Sequence, residues 1–148
     1  MININGKNVI VVGTGKSGIG SAILLEKNGA VPILYDGNES VNIDEVKEKI
    51  TQKLGFETKA EFVTGEFPKH ITKDAALCVL SPGVPVDADF VVYMKEEGIH
   101  IWGEIELAYN FAKGIVLAIT GTNGKTTTTA LTGAILKAAK EDVYVVGN

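Results

Sequence analysis

Seven residues, Thr120-Gly121-Thr122-Asn123-Gly124-Lys125-Thr126, follow the apolar run Ile115 to Ile119 and lead into a helix-like stretch ending near Lys140. Strand, glycine-rich loop, Lys-Thr and helix in that order make a phosphate cradle. Glycines let the backbone curl until several N–H groups point into one hollow, the helix start adds positive potential, and a lysine brings a mobile cation to the outer phosphates. The hydroxyl of Thr126 is placed to reach a magnesium ion. A strict Walker loop has glycine at position 119; here Ile119 stands there and the glycine has moved to Gly121. Gly121, Thr122, Asn123, Gly124, Lys125, Thr126 and Thr127 are therefore the candidate nucleotide-binding residues. The competing reading is a glycine-rich turn beside a surface lysine. The hydroxyls of Thr127, Thr128 and Thr129 exceed what one magnesium ion needs and read as packing or helix-turn contacts.

A second glycine-rich turn, Gly13-Thr14-Gly15-Lys16-Ser17-Gly18, follows the apolar run Asn8 to Val12 and fits G-x-G-x-x-G. Asp36 ends the next strand, where dinucleotide folds place a ribose-binding acid. Backbone N–H groups from Gly15 to Gly18 can hold a diphosphate, but the same loop serves NAD, FAD and nucleotide sugars alike. Gly37 and Asn38 add polar groups beside Asp36, or form a solvated turn. Ser81-Pro82-Gly83-Val84-Pro85 follows a third strand and lies at the carboxyl edge, where open α/β sheets bind ligands; a rigid turn explains it equally well.

Other reactive residues stand apart from any pattern. His70 and His100 lack metal-ligand or base-orienting spacing, and Glu104 and Glu106 read as solvated helix-start carboxylates. Cys78, the single cysteine, lies within Ala75-Ala76-Leu77-Cys78-Val79-Leu80 and reads as a buried strand residue without a catalytic role.

The elements that must position these groups alternate between strand and helix, which argues for a parallel sheet covered on both faces and an α/β fold class. Strands are predicted at Asn8 to Val12, Ala30 to Tyr35, Glu61 to Thr64, Ala75 to Leu80 and Ile99 to Trp102. Helices are predicted after Gly18, over Asp44 to Leu54, near Asp87 to Glu97 and over Glu104 to Phe111. Pro32 suggests an irregular place in the second strand. The expected organisation is a Rossmann-like domain over 1–102, followed over 103–148 by the truncated start of a P-loop ATPase-like domain with strands at Ile115 to Ile119 and Val143 to Val146. With 148 residues, 45% hydrophobic, 22% charged and a net charge of -4, the composition is globular. Without a basic stripe, nucleic acid is not an expected partner. No apolar run approaches the roughly 20 residues that cross a bilayer, and the start lacks a signal peptide's apolar segment, so a cytoplasmic location without membrane partners is expected.

Together, Gly13 to Gly18, Ser81-Pro82-Gly83, Gly103-Glu104-Ile105-Glu106-Leu107 and the loop from Thr120 to Thr126 resemble the Mur ligases of peptidoglycan synthesis over essentially the whole chain. The G-T-N-G-K-T loop with its threonine run is specific to that ligase superfamily, which includes the folylpolyglutamate synthases. Asn123, where the L-alanine-adding branch typically has histidine, and the Rossmann-like start favour the D-glutamate-adding branch. The resemblance implies an ATP- and Mg2+-dependent ligase, expected to be a monomer. In it, the outer phosphoryl group of ATP passes to the L-alanine carboxylate of UDP-N-acetylmuramoyl-L-alanine, and the amine of D-glutamate attacks the resulting acyl phosphate. It implies Lys125 as the catalytic cation, Thr126 as a metal ligand, and backbone N–H groups from Thr122 to Lys125 on the phosphates. It also implies UDP held by Gly15, Lys16, Ser17, Asp36, Gly37, Asn38, Ser81, Pro82 and Gly83, with Asn148 on the nucleotide sugar.

The chain departs from the family in stopping at Asn148. The family's further glutamate, histidine and carbamylated-lysine metal ligands and its carboxyl-terminal domain are missing, so the chain by itself is not expected to ligate whereas its parent is. Two other functions compete: an NAD-linked oxidoreductase using Gly13 to Gly18 and Asp36, and a non-catalytic nucleotide-binding module. The first would have no use for Gly124-Lys125-Thr126.

Overall fold

The structure, a computed structural model, describes residues 3–139 and 141–146. It divides into two compact units, Met1–Ala112 and Lys113–Asn148. The first holds a five-stranded, wholly parallel sheet in the order β3-β2-β1-β4-β5. Its strands are β1 (Asn8–Val12), β2 (Val31–Asp36), β3 (Glu61–Thr64), β4 (Ala75–Leu80) and β5 (Ile101–Gly103). Helices α1 (Lys16–Lys27), α2 (Ile43–Leu54), α3 (Asp89–Glu96) and α4 (Glu104–Phe111) connect or follow them, with a short 3-10 turn at Lys69–Thr72.

Side chains alternate across a strand, so a sheet buried on both faces needs uninterrupted apolar strands. β1 meets this requirement. Val9 and Val11 join Leu34, Leu77 and Val79 under Ile19, Ala22 and Leu25 of α1, Val46 and Ile50 of α2, and Leu107 of α4. Ile10 and Val12 face the other way, with Ile33, Tyr35, Cys78 and Leu80 against Val91 and Met94 of α3. Pro32 costs β2 nothing on its β1 side. The amide of Val31 donates to the Lys7 carbonyl at 2.9 Å, so by strand alternation the nitrogen of Pro32 faces β3, which pairs only from Ile33 onward.

Local chemistry sets the helix ends. Asn42 caps α2 by accepting from the Glu45 amide at 3.1 Å, and Glu45 pairs with Lys49 one turn on. Gly55 ends that helix, and Asn28 with Gly29 ends α1.

Two sequence expectations change. The division of the chain falls after Ala112 rather than near Gly103, because α4 buries Leu107 in the first unit's core. Helix α5 (Lys125–Ala138) forms in the second unit, but 115–119 and 143–146 carry no strand among the described residues. An apolar run becomes a strand only when a neighbour satisfies its backbone, and Ile115, Val116 and Leu117 are exposed instead.

Helix α1 makes a sharp test of packing. A methyl group on Gly18 would sit 1.8 Å from the Gly13 carbonyl oxygen, whereas one on Gly20, in the same helix, would meet nothing within 4 Å. Gly18→Ala is expected to destabilise the first unit by about 1–3 kcal/mol. Gly20→Ala is expected to stabilise it by roughly 0.5–1 kcal/mol. Urea denaturation followed by circular dichroism reads both; equal effects at the two positions would refute the close contact.

Candidate functional site: a nucleotide-sized cavity and a second glycine loop

The chain runs outward from β1 to β2 and β3, then returns to the other side of β1 to make β4. That reversal opens a crevice beyond the carboxyl ends of β1 and β4, where doubly wound sheets bind ligands. A cavity of about 500 Å³ lies there. The turn after β1 (Gly13 to Ser17), the end of β2 (Tyr35 to Gly37), the turn after β4 (Ser81 to Pro85) and Phe90 of α3 line it.

The turn after β1 is wound tightly. Gly13 has φ +99, and its amide donates to the Tyr35 carbonyl at 2.7 Å. A side chain here would be strained and would also strike the Ser81 hydroxyl, 2.7 Å from the position of a Cβ. Gly15 then caps α1 without a side-chain hydrogen bond. The amides of Gly15, Lys16, Ser17 and Gly18 donate to no protein acceptor among the described residues. Open amides at a helix start, with Lys16 beside them, are groups of the kind that suit an anion.

Asp36, on the cavity wall, is held by protein donors: its Oδ2 accepts from the Thr14 amide at 3.0 Å and the Thr14 hydroxyl at 2.6 Å, and its Oδ1 accepts from the Asn38 amide at 3.1 Å. Burial by itself would raise its pKa, but these hydrogen bonds outweigh burial and hold the carboxyl below its ordinary value. Tyr35 donates to the Gly65 carbonyl at 2.9 Å and meets Phe67 and Phe90 edge-on, which gives the cavity an aromatic side. Burial, helped by the negative charges of Asp36 and Glu66, raises the Tyr35 pKa. The Ser81 hydroxyl is buried and has no hydrogen-bond partner among the described residues. A buried hydroxyl left without a partner on a cavity wall is the kind of group a polar ligand could satisfy.

Of the residues expected to hold a nucleotide sugar, Gly15, Lys16, Ser17, Asp36, Gly37, Ser81, Pro82 and Gly83 come together around this cavity. Asn38 is not on its wall; its side-chain oxygen accepts from the Ser40 amide at 3.0 Å. Asn148 lies outside the described residues. Tyr35 and Phe90 were not legible as lining residues, since each occupies an apolar position of an ordinary strand or helix. Cys78 is buried in β4, and burial pushes its thiol up to about 12. Among the described residues no group of three or more His, Cys, Asp or Glu is placed to hold a metal.

In the second unit the loop before α5 repeats the same physics. Gly124, at φ +77, caps α5, a conformation that favours glycine. The amides of Thr122 to Thr127 donate to no protein acceptor among the described residues. The Lys125 ammonium folds over the loop and donates to the carbonyls of Gly121 at 2.6 Å and Thr122 at 3.4 Å. Thr126 is exposed on the first turn of the helix.

Residues 7–103 match the Mur ligase MurD-like N-terminal domain. The chain belongs to the MurD-like Mur ligases. It is 52% identical over 147 residues to the UDP-N-acetylmuramoylalanine--D-glutamate ligase of Lachnospira eligens, covering 99% of this chain and 32% of the relative. It is 50% identical over 147 residues to the ligase of the same name from Lachnoclostridium phytofermentans, with the same coverage. This MurD-like chain thus spans about a third of the length of these relatives. Its fold is that of a murein peptide ligase from Psychrobacter arcticus (TM-score 0.58, 22% identity, 91% of this chain and 27% of that one). A pseudomurein peptide ligase type C from Methanothermus fervidus shares it too (TM-score 0.55, 22% identity, 90% and 26%).

Two measurements check the electrostatics. Because the folded pKa of Asp36 lies below that of the unfolded chain, its ionised form contributes stability above the ordinary carboxylate range, and that contribution is lost as pH falls through the lowered value. The gap in urea midpoint between wild type and Asp36→Asn should therefore be widest near neutrality and shrink in acid; a constant gap would contradict the assignment. The Cys78 thiol should resist iodoacetamide at pH 8 in the folded protein and react after denaturation, as read by mass spectrometry.

Proposed function

We propose that this MurD-like chain supplies the nucleotide-sugar site and the phosphate loop of an ATP-dependent ligase that joins D-glutamate to UDP-N-acetylmuramoyl-L-alanine. The observation that carries the reading is the cavity at the sheet's switch point. Its open amides at the start of α1, its lysine and its unpartnered Ser81 hydroxyl suit a diphosphate, and its aromatic side suits a flat base. The family match and the relatives' printed names support a nucleotide sugar as that diphosphate.

The loop before α5 fits a triphosphate tail in the same way. Its open amides would hold phosphate oxygens, and Lys125, already a donor to oxygen atoms of its own loop, would exchange those carbonyls for phosphate. Thr126 would offer its hydroxyl to Mg2+, which when bound screens the charge of the phosphates. Such a transfer depends on positioned positive charge at the phosphates. An NAD-linked oxidoreductase would have no use for Gly124-Lys125-Thr126.

Calorimetric titration separates the two sites. UDP-N-acetylmuramoyl-L-alanine should bind the wild-type chain and NAD should not. Lys125→Ala should weaken Mg-ATP binding by about tenfold to a hundredfold, the worth of a charge-assisted hydrogen bond, and leave the uridine ligand's affinity unchanged. Binding of NAD in preference to the uridine ligand would overturn the reading.

A further inference from the structure

We propose that Asn123, in the loop before α5, is a site of spontaneous deamidation: the Gly124 nitrogen displaces the side-chain amide of Asn123, and water opens the resulting ring to leave aspartate or isoaspartate. The consequence for nucleotide binding rests on the phosphate-loop reading; the reaction itself does not.

The chain contains three Asn-Gly pairs, Asn5-Gly6, Asn28-Gly29 and Asn123-Gly124. Glycine after asparagine leaves the attacking nitrogen unshielded by a side chain. Neither exposure nor glycine conformation separates the three, since each asparagine is exposed and the glycines have φ +71, +82 and +77. Hydrogen bonding does. The Gly6 amide donates to the Gly29 carbonyl at 2.8 Å, and the Asn5 side chain lies against Gly29. The Gly29 amide donates to the Glu26 carbonyl at 3.0 Å, and Nδ2 of Asn28 donates to the Leu24 carbonyl at 2.7 Å. Among the described residues, the Gly124 amide has no acceptor and the Asn123 side chain has no partner.

The reaction needs a main-chain nitrogen that can lose its proton and reach Cγ. Base removes the Gly124 amide proton and the nitrogen attacks Cγ of Asn123. The N–Cγ bond forms, the Cγ–Nδ2 bond breaks, and Nδ2 takes up a proton from water and leaves as ammonia. Water then cleaves the imide at Cγ, giving aspartate, or at the Asn123 main-chain carbonyl, giving isoaspartate. Negative charge develops on the attacking nitrogen at the start of α5, where the helix potential is positive and the Lys125 ammonium is bound to the loop. Open amides, glycine and positive potential suit the loop to phosphate, and the same three features expose Asn123 to this reaction. Its product places a carboxylate beside Lys125, which repels phosphate.

The test is incubation of the 148-residue chain at mildly alkaline pH, folded and in urea, followed by peptide mapping by mass spectrometry, with isoaspartate read by enzymatic methylation. In the folded chain Asn123 should be lost about tenfold or more faster than Asn5 or Asn28, whose hydrogen bonds must open first, and in urea the gap should close. Loss of Asn123 no faster than the other two in the folded chain would overturn the proposal, as would a gap that persists in urea. Asn123→Asp should bind Mg-ATP about tenfold more weakly than wild type in calorimetry, the effect of one like charge near the phosphates; equal affinity would overturn the consequence drawn for the loop. Failure of the wild-type chain to bind Mg-ATP would instead sink the phosphate-loop reading, while the deamidation rates would still decide the modification site.

Discussion

The contact between Gly18 and the Gly13 carbonyl is the constraint on which the first unit's chemistry rests. A helix start becomes an anion site only when its orphan amides face a space a ligand can enter, and that requires the helix to leave the strand almost at once. With no Cβ at position 18, α1 lies directly on the end of β1, and the amides from Gly15 to Gly18 remain open at the crevice. A larger residue would push the helix away from the strand. The sheet order then matters equally, because the return of the chain to β4 brings the Ser81 turn to the opposite wall.

The electrostatic character of the cavity follows from the same turn. An ionised aspartate beside a phosphate site would repel the ligand if it were bare. Asp36 is not bare: Thr14 and Asn38 supply donors that stabilise its charge locally and hold it in one place. The carboxylate thereby braces the glycine turn against the end of β2 while Lys16 and the open amides face the space beside it. The aromatic contacts of Tyr35 with Phe67 and Phe90 fix the apolar part of the same cavity, so one cavity has a side of open amides with Lys16 and an aromatic side.

The second unit builds its own glycine-capped helix start from a different sequence. Gly124 takes the left-handed conformation at the start of α5, and Lys125 covers the carbonyls of the loop. Helix α5 exposes Leu131 and Ile135, and Tyr144 and Val146 are likewise exposed, so the described residues of this unit organise a loop and a helix rather than a closed core.

The sequence by itself determined the α/β class, the five parallel strands, both glycine turns and the family, because each is written in local terms: apolar runs, turn residues, caps and a lysine at fixed spacing. Helix α4 was legible to the residue, yet its membership in the first unit was not, since that depends on Leu107 finding the sheet. The strand at 115–119 was read from its apolar run, but a strand needs a partner and none is present among the described residues. Only the tertiary structure decided that Asp36 is bound to Thr14, that Ser81 is left without a partner among the described residues, and that Phe90 lines the cavity. These are contacts between segments distant along the chain. Their geometry is set by how strands order and helices pack, and no spacing rule within one segment encodes it.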